Sequence, residues 1–561
     1  MTEQQENKRM KEIGERFRKL SKKQWAAALV ILAAVVFLVV FLMYQSSEEL
    51  VQVKKGNASA VQKEGERKET LIVAADAMTG EVNPVFAQTD QDMQISDLVF
   101  EPLMQQESDG SYTAVLAKKV DISEDGKEFT IHLKNNIKFS DGSEMTADDV
   151  YASLAAAAFM HGTEPGSGYQ NLEGMTPELY TAENYDMPGI QVVDENTVKL
   201  LFATPSPENL QVLETRVQKR DIVDLTSDHP FAQIDDFRSK GIGTGPYVLL
   251  DQPNSSRTFL QVNENSRAKA KDIKKIQFLH VNYYDTLAAM ENSEIDVIYY
   301  NSRTAAFKEI YDVESFTVYE KPGNVIDFIG FNNKSIYGSN TEIRQAIAAA
   351  FNKEAFFENE AVASIAEKTD FCIPGGSKKG GISYDQEKAK EKVASAAKTL
   401  GAEEILLRLP VREDDEWQNM AADQLKTDLD AVGIQLEISK LSEDDYMKTL
   451  FSDGTYDLYF SSMQIEPTVT SLEQLMSDRD TLSTGIQTEQ LETALDKFRS
   501  SYTFADYKQN LEKMNQAMAE DLPIIPFARE KGFFSISADL SGYDMRPGGV
   551  WMENVNKIKV K

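Results

Sequence analysis

The residue types that usually carry catalysis or bind metals are few in this chain, and they are widely spaced. The 561 residues include one cysteine and four histidines, namely Cys372, His132, His161, His229 and His280. The histidines show no H-x-x-x-H or H-E-x-x-H spacing, and the chain contains no glycine-rich phosphate loop and no nucleophile–base pair. A single cysteine excludes an intrachain disulfide and a cysteine-based metal cluster. The sequence therefore predicts a protein that is not an enzyme and that uses no cofactor and no metal.

Charge is distributed unevenly along the chain. The net charge is −31, yet residues 1–23 contain eight Lys or Arg against four Glu, which makes that segment +4 and the remainder −35. An acidic body of this kind repels phosphate backbones, so a nucleic-acid partner is disfavoured.

An apolar run follows the basic segment. Residues 25–43 are uncharged and span roughly 28 Å as a helix, close to the thickness of a bilayer's hydrocarbon core. With the basic residues before it, the positive-inside rule predicts a cytoplasmic segment at 1–23, a single transmembrane anchor at 24–44, and an extracytoplasmic remainder. A cleavable signal peptide is the alternative, although its apolar region is usually shorter.

Residues 45–69 are mostly polar, are rich in Lys and Glu, and include no aromatic residue. Because such a composition offers few core-forming residues, we expect a flexible stalk there.

From residue 70 onward, short β-like runs alternate with helical patterns, which indicates an α/β architecture. The predicted strands include 71–75, 129–133, 197–202, 247–250, 296–300 and 405–409. The predicted helices include 147–159, 342–351, 386–400, 416–432, 488–502 and 504–519.

One strand–turn–helix unit can be read in detail. Asp141 and Gly142 form a turn, and Thr146 followed by Asp149 forms a capping box, in which each side chain satisfies a free backbone donor. On physical grounds this unit is structural only.

The same unit resembles the signature of the bacterial extracellular solute-binding proteins of family 5, which take dipeptides, oligopeptides and nickel. The residues that match are Leu133, Ile137, Phe139, Asp141, Gly142, Met145, Thr146, Ala147, Asp149 and Val150. Further segments match in the family's order, namely 101–103, 243–247, 293–296, 329–332, 344–354, 384–389 and 522–526.

The resemblance implies a fold of two lobes, the large peptide-binding class of the type II periplasmic-binding-protein architecture, preceded by the transmembrane helix. Lobe I would comprise 70–110, 240–322 and 531–561, with an extra subdomain at 111–239, and lobe II would comprise 323–530. The hinge would cross at 321–323 and 528–531, and ligand would be buried between the closing lobes.

The resemblance also implies which segments face the ligand. The candidate ligand-binding residues are Glu81, Asn83, Phe328, Asn332, Ser461, Met463, Gln464, Glu466 and Trp551. Glu81 would bind a ligand amine, and Glu466 would replace the aspartate that peptide binders typically carry after a Gly-Trp pair, where this chain has Ser462 and Met463. The alternative interpretation is that Glu81 is an acidic residue on the surface and that Phe328 and Trp551 pack in the core.

The function implied is that of the solute-binding subunit of an ABC importer. It would bind peptide, deliver it to a permease in the same membrane and contact lipid through residues 25–43. An oligosaccharide or metal-chelate binder of the same fold is one alternative, and a tethered sensor that takes no part in transport is another.

Overall fold

The computed structural model describes residues 51–561 apart from positions 76, 107–110, 163, 165, 177–186, 223–240, 252, 302–306, 374–380, 452–454, 466–467, 478–484, 487 and 544–554. The predicted cytoplasmic segment and membrane anchor lie outside these residues. Within the part that is described, no helix combines the length and the apolar character needed to cross a bilayer.

Strands and helices alternate through most of the chain. The strands are Val51–Lys54 (β1), Thr70–Ala75 (β2), Met104–Gln106 (β3), Tyr112–Ala114 (β4), Ala117–Ile122 (β5), Glu128–Leu133 (β6), Ile190–Asp194 (β7), Thr197–Leu201 (β8), Tyr247–Leu249 (β9), Arg257–Val262 (β10), Lys275–His280 (β11), Val297–Asn301 (β12), Phe316–Phe331 (β13), Ala366–Lys368 (β14), Ile405–Arg412 (β15), Ile434–Leu441 (β16), Leu458–Gln464 (β17), Ile525–Ser537 (β18), Leu540–Ser541 (β19) and Lys559–Val560 (β20). The helices are Asp90–Val99 (α1), Ala147–His161 (α2), Thr286–Glu291 (α3), Phe307–Asp312 (α4), Thr341–Ala350 (α5), Lys353–Phe357 (α6), Glu360–Ile365 (α7), Gln386–Leu400 (α8), Glu416–Asp430 (α9), Glu443–Phe451 (α10), Val469–Met476 (α11), Glu489–Arg499 (α12) and Phe504–Asp521 (α13). Each predicted strand and helix is confirmed to within a few residues.

A mixed sheet of ten strands forms the centre of the described body. Its order is β1-β13-β18-β12-β2-β11-β10-β9, with β14 added on β18 and β17 added on β13. A separate antiparallel sheet has the order β5-β6-β8-β7, and β15 pairs with β16 in parallel.

Two long antiparallel strands, β13 and β18, run from the part of the ten-stranded sheet that holds β1 and β12 to the part that holds β14 and β17. The first part of β13 lies between β1 and β18, whereas its last residues lie between β17 and β18. The register shifts where Pro322 pairs with Lys531 and the next pair is Ile326 with Arg529. This bulge falls on the two segments predicted to form the hinge.

The buried apolar side chains of the described residues form separate clusters. Two of the clusters draw on 71–100, 247–318 and 533–560, one on 103–217, and two on 326–528. We keep the names lobe I, subdomain and lobe II for these groups. Leu103 and Met104, which the prediction assigned to lobe I, pack with the subdomain because β3 pairs with β4 there. Independent movement of the lobes stays a prediction.

The capping box that opens α2 is confirmed. The backbone N–H of Thr146 donates to the Asp149 carboxylate at 2.8 Å, and the reciprocal contact is also present.

The prediction of a flexible stalk at 45–69 is wrong for the described part, 51–69. Strand β1 pairs with β13, and two short 3₁₀ helices follow at Ala58–Ala60 and Gly65–Glu69. The Lys63 Nζ lies 2.6 Å from an Asp296 oxygen and 2.9 Å from an Asp539 oxygen, and Arg67 lies 2.7 Å from the other Asp296 oxygen. These polar residues are ordered because their cations neutralise buried carboxylates of lobe I.

Candidate functional site

A cavity of about 210 Å³ lies in lobe II between strands β13 and β17 and helices α9 and α10. Strand β17 leads into it, because the strand is buried from Leu458 to Phe460 and exposed at Ser462 and Gln464. Asp327 pairs with Ser462 across β13 and β17, only one residue past the end of the bulge at Ile326. The cavity is therefore built beside the crossing from lobe I to lobe II.

Aromatic side chains form much of the cavity wall. The Trp417 and Phe527 rings are stacked with centroids 6.3 Å apart, and Phe460 meets Phe527 edge-on at 5.8 Å. At the mouth, Met447 and Phe451 are 45% and 63% exposed and lie four residues apart on one face of α10. Exposed apolar side chains around a cavity are typical of a ligand site.

Carboxylates outnumber cations at this cavity. Among the described residues, Asp327, Asp415 and Glu443 line it together with one cation, Arg412. The Arg412 guanidinium already contacts both oxygens of Asp414 at 3.1 and 3.0 Å and lies 3.6 Å from Glu443. Hydrogen bonding to Asp414 is the main reason why the pKa of Arg412 is raised. The surplus negative charge suits a ligand that carries an amine or another cation.

Lobe I contributes a half-exposed aromatic residue near the same crossing. Tyr299 is exposed between the buried residues Ile298 and Tyr300 of strand β12. Partial burial of its hydroxyl raises the Tyr299 pKa, and the negative charges of Glu530 and Asp90 raise it further. Tyr299 therefore lies within electrostatic reach of the β18 segment that carries the bulge.

The bulge is held by close backbone contacts. The Arg529 Nε donates to the Gly323 carbonyl at 2.6 Å. A Cβ atom on Gly323 would lie 2.5 Å from the Glu530 carbonyl oxygen, so glycine permits this close approach of the two strands. The strands at the crossing are thus packed backbone to backbone.

Two predicted site residues lie in the loop after β2, and one of them has a structural role. A carboxylate oxygen of Glu81 accepts from the Asn83 backbone N–H at 3.3 Å. Asn83 is 2% exposed, and its side-chain amide exchanges two hydrogen bonds with Gln218, at 2.9 and 3.2 Å. Asn83 therefore ties lobe I to the subdomain, and its ligand contact stays a prediction.

Two further predicted residues, Phe328 on β13 and Asn332 just after it, pack within lobe II, and their ligand contacts stay predictions. Phe328 has no exposed surface and packs in a lobe II core cluster with Ile326 and Tyr459. The Asn332 amide donates to the Tyr456 carbonyl at 2.9 Å, and its oxygen accepts from the Lys334 N–H at 3.0 Å. Both side chains are used within lobe II in this structure.

The remaining predicted residues divide between the cavity and the undescribed positions. Ser461 lines the cavity, Gln464 is exposed at the end of β17, and Met463 packs on the cluster that contains Phe328. Glu466 and Trp551 lie outside the described residues, so their roles stay predictions.

Several residues that the structure brings together were missed from the sequence. Asp327 and Trp417 line the same cavity although they are far apart in the chain, and neither is among the predicted site residues. A usable signal existed for α10, where Met447 and Phe451 follow the i, i+4 spacing of a helix face.

Two α/β lobes joined by long paired strands, with a cavity beside the crossing, define the class of hinged solute-binding proteins. The family model described as "Bacterial extracellular solute-binding proteins, family 5 Middle" matches residues 111–480, and the chain belongs to this family. The family prediction is confirmed.

The relatives of this chain are named as binding proteins. The "Dipeptide-binding protein" of Escherichia coli (strain K12) is 25% identical over 356 residues, which cover 59% of this chain and 64% of that relative. This chain therefore aligns with slightly less than two thirds of that protein's length.

Solved structures with the same fold are also found. The "ABC Transporter Substrate Binding Protein CtaP" from Listeria monocytogenes has a TM-score of 0.67 at 18% identity, covering 90% of this chain and 100% of the other. NikZ from Campylobacter jejuni in complex with Ni(L-His) has a TM-score of 0.59 at 20% identity, covering 88% of this chain and 100% of the other. At these identities the likeness establishes the fold alone.

Proposed function

We propose that this protein is the extracytoplasmic, peptide-binding subunit of an ABC importer. The observation that carries the proposal is the lobe II cavity, in which three carboxylates and one already paired arginine accompany an aromatic wall. The E. coli relative named as a dipeptide-binding protein and the Listeria structure named as an ABC transporter substrate-binding protein support the same function.

The cavity offers complementary groups for a peptide with a positive end. A protonated α-amine or a basic side chain would be bound by the Asp327 carboxylate, with Glu443 at the mouth adding attraction. Apolar side chains of the ligand would cover Met447 and Phe451, which are exposed in the absence of ligand. Ser461 and Gln464 on β17 would supply polar contacts.

Ligand would be enclosed when lobe II rotates toward lobe I about the bulge in β13 and β18. Pro322, Gly323 and Arg529 lie at this crossing. Tyr299 of lobe I would then approach the ligand from the opposite side, and affinity would depend on the population of the closed form.

The importer assignment implies a membrane context. The apolar run 25–43, preceded by basic residues, would anchor the chain as a single helix with its N-terminus in the cytoplasm. The binding body would then be retained beside a permease that receives the peptide.

Metal-chelate and sugar ligands are the competing candidates. NikZ was solved with Ni(L-His), but the described residues contain no cluster of three or more His, Cys, Asp or Glu side chains able to hold a metal ion. A sugar would use the Trp417 ring, whose face is stacked on Phe527. The excess of carboxylates over cations favours an amine-bearing peptide over both.

The test is a ligand screen on the full chain in detergent micelles. We expect native mass spectrometry to detect co-purified peptide, and di- and tripeptides with a free amine to raise the melting temperature by mass action. N-acetylated peptides should give a smaller shift, and Asp327→Asn should remove the difference while the exposed control Asp423→Asn keeps it. A shift with cello-oligosaccharides or Ni(L-His), and none with any peptide, would overturn the proposal.

A further inference from the structure

The subdomain touches lobe II at a place remote from the hinge strands. The backbone N–H of Val469, the first residue of α11, donates to the Glu208 carboxylate at 3.0 Å. Glu208 is 5% exposed and Val469 is 9% exposed, so the hydrogen bond is closed off from water. Glu208 lies in the 3₁₀ helix Pro207–Glu214 of the subdomain.

The local sequence leaves this donor available. The cap of α11, Thr468, accepts from the Ser471 N–H at 3.1 Å and not from Val469. Because Val469 is the first residue of the helix, its N–H has no partner inside the helix. A carboxylate placed there also meets the positive end of the helix dipole. The pairing is thus a charge-assisted hydrogen bond between two parts of the chain that a lobe movement would separate.

Further contacts surround this hydrogen bond. A second cavity of about 230 Å³ lies there, and its wall combines Tyr112 and Glu208 of the subdomain with Thr468 and Tyr507 of lobe II. Burial raises the Tyr507 pKa, the Glu208 charge raises it further, and a hydrogen bond with Gln106 opposes both. The second cavity shares no lining residue with the cavity beside the hinge.

Glycines allow the two surfaces to approach. A Cβ on Gly166 would lie 2.5 Å from the Thr470 hydroxyl oxygen, and one on Gly126 would overlap the Tyr502 ring. Both glycines belong to the subdomain and both neighbours to lobe II, so the contact is a surface rather than a single bond.

We infer that the hydrogen bond from Val469 to Glu208 is a latch that holds lobe II closed against the subdomain, independently of ligand. Its energy is available only while the two surfaces touch, since opening returns both groups to water. The latch therefore sets the ratio of closed to open protein and, through it, the apparent affinity for any ligand. The inference rests on the hinged movement proposed above.

Two substitutions remove the latch by different routes. Glu208→Gln keeps the shape of the side chain and removes its charge. Val469→Pro deletes the donor, and the first position of a helix is where proline is favoured. The matched controls are Glu124→Gln, an exposed subdomain glutamate, and Glu489→Pro, the first residue of α12 behind a similar threonine cap.

The readout is the distance between spin labels in the full chain in detergent micelles, without ligand. Labels on Val193→Cys in β7 and Ala394→Cys in α8 report the separation of subdomain and lobe II, and both positions are exposed. The native Cys372 does not compete for label, because it is 2% exposed and burial raises its pKa to about 12.

We expect each latch variant to raise the open-to-closed ratio about tenfold, the usual effect of losing a charge-assisted hydrogen bond. The double variant should open no further than either single variant, and both controls should match the wild type. Unchanged distances in both latch variants, or effects that add in the double variant, would overturn the latch. One rigid distance in every sample, wild type included, would overturn the hinge as well, whereas a failure to bind peptide would count only against the proposed ligand.

Discussion

Two sites in this protein, one in each lobe, differ in the ratio of carboxylates to cations. In lobe I, Asp296 has no exposed surface and is met by both Lys63 and Arg67 at 2.6 and 2.7 Å. At the lobe II cavity, the described lining residues include three carboxylates, Asp327, Asp415 and Glu443, and a single cation, Arg412, which contacts Asp414 and lies 3.6 Å from Glu443.

This difference indicates that the lobe I site stabilises the fold, whereas the lobe II site is suited to ligand recognition. A carboxylate whose partners are all supplied by the protein stabilises the fold and has nothing left to offer a ligand. A cavity lined by more carboxylates than cations, beside an exposed apolar face, attracts a cationic group brought by a ligand. Substitutions at the two sites should therefore have different effects, on stability in lobe I and on ligand affinity in lobe II.

Lys63→Ala should cause the largest loss of stability. It leaves Asp296 and Asp539 buried with one cation fewer, and breaking a buried ion pair from one side typically costs about 3–5 kcal/mol. Urea unfolding of the full chain in micelles, followed by circular dichroism, measures the free energy of unfolding. Lys55→Ala, at an exposed position of the same segment, should change it little. Equal values for the two variants would show that the network is not structural.

Asp327→Asn should act on ligand affinity. The loss of a charged partner for a peptide amine is expected to weaken binding by roughly 10- to 100-fold. Calorimetric titration with a free-amine peptide and its N-acetylated form separates this effect from any change in folding, because only the first should lose affinity. A parallel loss for both peptides would assign Asp327 to the fold, like Asp296.

Glu443→Gln should give a smaller loss of affinity, about two- to threefold, because this side chain is 66% exposed and its attraction is screened by salt. The effect should fall as sodium chloride is raised in the titration. Glu437→Gln, exposed on β16, is the control. A loss that does not depend on salt would contradict the role of a mouth charge.

Asp141 should contribute a small, pH-dependent stability. Burial alone would raise its pKa, but hydrogen bonds from Lys219 and Ser143 outweigh burial and lower it to about 2. A lowered folded-state pKa stabilises above the ordinary value for aspartate, and this contribution is lost as the pH falls from about 4 to about 2. Melting temperatures across this interval should fall less steeply for Asp141→Asn than for the wild type or Asp423→Asn. Identical slopes would contradict the assignment.

Much of the fold could be predicted because its determinants are local. The predicted helix 386–400 coincides with α8, and the capping box of Thr146 and Asp149 forms as expected. Alternating buried side chains specified β6, in which Phe129, Ile131 and Leu133 are buried. The family signature could be recognised for the same reason, since its turn and cap lie within one short segment.

The candidate site could be predicted only in part. On β17, Ser461 lines the cavity, and its contact with ligand stays a prediction. Phe328 and Asn332 were in the expected segment of β13, but the alternation of the strand turned Phe328 into the core, and Asp327 beside it faces the cavity. Which face of a strand meets a core depends on the elements packed against it, and these came from elsewhere in the chain.

Local sequence patterns specify the helices, the strands, the acidic body and the family, because periodicity, turns and caps act over a few residues. The order of residues 51–69 depends on long-range contacts, since Lys63 and Arg67 pair with Asp296 and Asp539, which lie more than 200 residues away. The same holds for the cavity, where Asp327, Trp417 and Glu443 become neighbours only after the chain has folded. Neutralisation of buried charge and the closure of a pocket are properties of long-range contacts, which no local pattern encodes.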